Sequence, residues 1–75
     1  MAEQSVRLTV GLPVKAFGVT QVKVVAEDEG TGWRLEQWAT LSDQELRRFG
    51  GDMAEMWRRE ISLTCGQVVA AWLAR

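Results

Sequence analysis

The chain has 75 residues, which is room for one domain. Hydrophobic residues make up 47% of it, enough to build a core and to exclude a disordered chain. Nine basic residues stand against ten acidic ones, so the basic excess of a dedicated nucleic-acid binder is missing.

Residues 1–4 read as a frayed terminus. From Val6 to Val10 apolar and polar residues alternate, the period of a half-buried strand, with Val6, Leu8 and Val10 expected to face the core. Gly11-Leu12-Pro13 ends that strand or places it on a sheet edge, because proline has no N–H to give to a ladder. The stretch from Phe17 to Ala26 carries Val19, Val22, Val24 and Val25, and β-branching favours a second strand there. Glu27 to Gly32 then reads as a turn with an acidic cluster and two glycines. Trp33 to Trp38 alternates again, so the second and third strands form an antiparallel hairpin around the acidic turn.

The character changes at Leu41. Ser42 followed by Glu45 has the spacing of a capping box, and Leu41 with Leu46 that of a hydrophobic staple. Gly50-Gly51 would stop this short helix. Asp52, with Glu55 three residues on, would cap the next. Met53, Trp57, Ile61, Cys65, Val68 and Trp72 form one apolar stripe, which predicts a single helix from Met53 to about Ala74. The competing reading breaks it near Gly66, because Leu63-Thr64-Cys65-Gly66-Gln67-Val68 repeats the staple and box pattern of Leu41 to Leu46. The expected fold is therefore α+β: about three antiparallel strands over residues 5–39, then two or three helices over residues 42–75 packed on one face.

Several chemistries are hard to perform with these residues. No histidine is present, so the commonest general base and metal ligand is missing. Cys65 is the only cysteine and cannot close an intrachain disulfide. It falls on the apolar stripe, where a structural thiol is expected in preference to a nucleophile. Gly30-Thr31-Gly32 lacks the lysine and helix start of a phosphate-binding loop. No catalytic, metal or cofactor-binding residue is assigned, and an enzyme ranks third among the readings. No apolar run approaches the ~20 residues that span a bilayer. Met1 to Ser5 lacks the basic and apolar regions of a signal peptide. A cytoplasmic protein without membrane contact is expected.

The four tryptophans carry the sharper expectations. Trp33 and Trp38 lie an odd number of residues apart, so they point to opposite faces of the sheet. Leu35 suits the core better than Arg34 or Glu36, which puts Trp33 with Leu35 inside and Trp38 with Arg34 and Glu36 on the open face. An exposed tryptophan between an arginine and a carboxylate is how interface centres are built. Trp38, Arg34 and Glu36 are thus the candidate partner-binding residues; a core position for Trp38 is the competing reading. The apolar end of the last helix, through Val69, Trp72 and Leu73, is the candidate homodimer contact, because its apolar residues exceed one stripe. Further electrostatic contacts are assigned to Glu27, Asp28 and Glu29 in the turn and to the doublets Arg47-Arg48 and Arg58-Arg59. In size, mild acidity and layout the chain resembles the small orphan proteins by which phages block host machinery, anti-CRISPR proteins among them. That resemblance implies a protein-binding inhibitor. The alternative is a small nucleic-acid-associated regulator that uses the two arginine doublets.

Overall fold

A computed structural model describes residues 5–49 and 53–75. The fold is α+β. Four strands, β1 (Arg7–Val10), β2 (Val14–Ala16), β3 (Val19–Asp28) and β4 (Trp33–Ser42), precede two helices, α1 (Asp43–Phe49) and α2 (Met53–Leu73). The expected frayed terminus, the Gly50-Gly51 stop and the Asp52 cap lie outside the described residues.

The sheet has four strands, not three, and reaches Ser42. β3 is central and pairs antiparallel with all the others: β4 along one side, β1 and then β2 along the other. β1 and β2 are one edge ribbon interrupted by a bulge. Arg7 to Val10 oppose Glu27 to Val24, and Gly11 N–H donates to the Lys23 carbonyl at 2.8 Å. Val14 then opposes Gln21, so Leu12 and Pro13 together face the single residue Val22. A bulge is where an edge tolerates proline.

Sequence reading placed Phe17 in a strand; it belongs to a turn. Ala16 pairs with Val19 around Phe17-Gly18, and both turn residues have positive φ, 54° and 71°. That pair of values belongs to the two-residue I′ turn, whose twist matches the flanking strands and which normally holds Asn-Gly. The hairpin between β3 and β4 is as expected, but β3 runs on through Asp28, and the loop is Glu29 to Gly32.

Side chains facing α2 come from the even positions of β3 and the odd positions of β4. Val22, Val24, Ala26, Ala39 and Leu41 are buried there. Thr64, Val68 and Trp72 are the buried stripe of α2, with Cys65 half-buried beside them. Helix α2 is continuous. Thr64 Oγ1 donates to the Glu60 carbonyl at 3.0 Å, a bond within the helix, so Thr64 does not cap a new one. Ser42 accepts the Glu45 N–H at 3.1 Å, the capping half of the expected box, and its hydroxyl donates to Glu45 Oε1 at 3.2 Å.

One expected core element is only partly covered. Val6 packs on the core, but Leu8 and Val10 are exposed although register puts them on the helix side. The reason is placement: α2 lies over β4 and β3, and the β1 ribbon extends beyond its cover.

Candidate interaction surface

The far face of the sheet carries the odd residues of β3 and the even residues of β4. Arg34, Glu36 and Trp38 share it, as alternation requires, opposite Trp33 and Leu35. Trp38 is 47% exposed. Lys23, its cross-strand partner, sets its ammonium 5.9 Å from the indole centroid. The same Lys23 meets Glu36 at 3.0 Å. Arg34 meets Glu36 at 2.8 Å and Glu27 at 3.6 Å. This chain of ion pairs spans two strands and ends at the tryptophan. Glu36 is held below the usual carboxylate range, first by the Lys23 hydrogen bond, with the charges of Lys23 and Arg34 adding to it.

Toward the β2–β3 turn the same face continues through Gln21, Thr40, Val14 and Ala16. Gln21 Nε2 donates to Thr40 Oγ1 at 3.4 Å. The turn itself ends in Phe17, which is 103% exposed. Leu12, in the bulge, is 86% exposed. Sequence reading did not single out Phe17. The usable signal was the glycine after it, which marks the second position of a two-residue hairpin turn. The bulky residue at the first position hid that signal.

The other expected sites are dispersed. The acidic cluster is divided among three basic partners. Glu27 goes to Arg34, Glu29 meets Arg7 at 2.6 Å, and Asp28 is buried. Asp28 Oδ2 accepts the indole N–H of Trp72 at 2.8 Å and an Arg75 N–H at 3.2 Å, while Oδ1 accepts the Gly30 N–H at 3.0 Å. Its carboxyl is held below the ordinary value, chiefly by the Trp72 hydrogen bond, against a smaller opposing effect of burial. Trp72 is therefore turned inward, with the Arg75 guanidinium 4.7 Å from its ring. It does not lie on the outer surface with Leu73, which is 69% exposed; Val69 is half-buried.

Arg47, Arg48, Arg58 and Arg59 are exposed, and no described carboxylate lies within ion-pair distance of them. Arg58 and Arg59 line an open hollow with Glu55, Ser62 and Leu63. Among the described residues no cluster of three or more His, Cys, Asp or Glu side chains could hold a metal ion, and no helix is long and apolar enough to cross a membrane. Comparison with protein-family models, with curated proteins and with solved structures finds no match.

Proposed function

We propose that the chain is a non-enzymatic protein-binding module whose contact surface is the open sheet face, centred on Trp38, with Arg34, Glu36 and Lys23 beside it and Phe17 at its tip. The observation that carries this reading is Phe17. A phenylalanine in the left-handed region is strained, and a fully exposed ring contributes nothing to the core. Asparagine or glycine would serve the turn better, so the ring is best explained by something it touches outside the chain. Trp38 and Phe17 supply apolar area, and the ion pairs between them and Glu27 supply direction. The partner that fits is a protein surface with an apolar recess flanked by charges of both signs. Occlusion of a partner's surface, as by a small phage-type inhibitor, needs such a face and no catalytic group.

The test is capture of partners from the native cell on immobilised wild-type protein, repeated with Trp38→Ala and Phe17→Asn. The expected result is one protein complex whose affinity falls about 30-fold with Trp38→Ala, the ~2 kcal/mol of an interface anchor, with the melting temperature almost unchanged. A partner held equally by both variants would refute the site. Recovery of nucleic acid, released by Arg47→Glu or Arg58→Glu and steeply salt-dependent, would replace this reading with that of a nucleic-acid-associated regulator.

A further inference from the structure

The two edges of the sheet are not equivalent. The β1–β2 edge is broken by the Leu12-Pro13 bulge. The β4 edge runs ten residues, Trp33 to Ser42, without proline, glycine or bulge. Its backbone groups can be followed from the other side of the sheet. The Lys23 carbonyl bonds to Gly11, so the odd residues of β3 direct their backbone groups at β1. The even residues, Val22, Val24, Ala26 and Asp28, direct theirs at β4. Their partners Ala39, Gln37, Leu35 and Trp33 answer them. The N–H and C=O groups of Arg34, Glu36, Trp38 and Thr40 therefore point outward from the edge, which is a template for another strand.

We infer that this edge pairs antiparallel with the same edge of a second copy, about a two-fold axis at Leu35, to give one continuous sheet. Charge selects the copy and the register. Centred on Leu35, Arg34 of each protomer stands opposite Glu36 of the other, so both cross-strand pairs on the open face are of opposite sign. A shift that centres on Glu36 would set two glutamates face to face. The pairing is isologous, as a two-fold interface must be.

The helix layer is compatible with the same axis. On the right-handed turn of α2, Cys65 and Val69 lie on the flank over β3 and β1, where Cys65 joins the core with Val6. Gln67 and Ala74 lie on the flank above the β4 edge, with Leu63 and Ala70 on the same side but farther from the sheet. All four are exposed, Leu63 at 61%. With strands about 4.8 Å apart, two helices each seated over the β3–β4 boundary stand about 10 Å apart across the axis, close to the spacing of packed helices. Val68 packs on the Val24 and Ala26 cluster, and Ala26 is opposite Leu35, so the axis passes near Val68. Leu63 then meets the small residues Ala70 and Ala74 of the other copy. This dimer does not depend on what the open face binds, and it would set two Trp38 side chains on one surface.

The test combines sedimentation velocity with amide exchange on the full chain. The expected species is a dimer at high micromolar concentration. The amide hydrogens of Arg34 and Glu36 should exchange fast when the protein is dilute and slowly when it is associated, while those of Leu35 and Gln37 stay protected in both. Glu36→Pro removes an outward N–H from each copy and should weaken the dimer about 30-fold. Leu63→Glu, on an exposed helix position, should weaken it without unfolding the chain. A wild type that stays monomeric overturns the inference. So does a dimer in which the Arg34 and Glu36 amides remain fast, whichever variants dissociate it.

Discussion

Phe17→Asn should make the protein more stable while removing a fully exposed aromatic ring. The φ of 54° at Phe17 is left-handed, a region that costs a side chain with a β-carbon about 1–2 kcal/mol and that asparagine enters more readily. Nothing is lost in return, because the ring is fully exposed and buries no area in the chain. The net expectation is a gain of about 1 kcal/mol, which for a domain of this size raises the melting temperature by about 4–8 °C. Thermal and urea unfolding followed by tryptophan emission measure it, and the slope of the urea transition should not change. A loss of 1 kcal/mol or more would refute the reasoning. It would mean that the ring packs on the sheet or that the turn is not of the I′ type.

Three other substitutions probe the scaffold. Gly66→Ala in α2 should stabilise by about 1 kcal/mol, since a β-carbon there meets no atom within 4 Å and the helix is continuous; an unfolding midpoint unchanged or lowered would place a break at Gly66. Ser42→Ala should cost about 1 kcal/mol by removing the acceptor for the Glu45 N–H, and an unchanged midpoint in urea would show that the cap is idle. Trp72→Phe should lower stability at neutral pH and flatten its fall in acid. The Asp28 carboxyl is depressed in the folded state, so its contribution is complete above the usual carboxylate range near pH 4 and is lost as pH falls through the folded value. If the acid limbs of wild type and variant run parallel in a series of urea melts, Trp72 is not what holds Asp28 ionised.

What could be read from the sequence was whatever rests on local period or local capping. The opposite faces of Trp33 and Trp38, the Ser42 helix start and the continuity of α2 all follow from spacing within a few residues, although Thr64 joins Val68 and Trp72 on the buried stripe and Met53, expected there, is exposed. What could not be read depends on residues far apart. Asp28 looks like one of three surface carboxylates, and only the return of α2 over the β3–β4 turn brings Trp72 and Arg75 to it. Leu8 and Val10 alternate as core residues do, yet they lie beyond the reach of the helix. The fourth strand was lost because Phe17-Gly18 violates the residue preference of its own turn, so Phe17 was read as the start of the second strand and Val14 to Ala16 were assigned to none.

These features divide the molecule along its length. At the β3–β4 turn the buried polar group is fully engaged: Asp28 takes an indole, a guanidinium and a backbone N–H, and no described buried side-chain polar atom is left without a partner. At the other end the β2–β3 hairpin is tied to the start of α1, with the Asp43 N–H donating to the Gly18 carbonyl at 2.9 Å and Lys15 meeting Asp43 at 3.5 Å, yet Leu12, Val14 and Phe17 stay exposed. A small domain has little stability to lose, and local rules broken without a gain inside the chain are expected at functional sites. The clamped end also leaves Leu8 and Leu73 exposed, but its positive φ falls on a glycine, Gly32. The hairpin end combines a left-handed phenylalanine with an apolar strand tip in water; a covering surface would bury the apolar groups and offset the cost of the strained turn without changing its φ. Apolar groups held in water by a turn that is itself tied to the scaffold are what supports the proposed binding module, with the distal hairpin and open face as its contact surface.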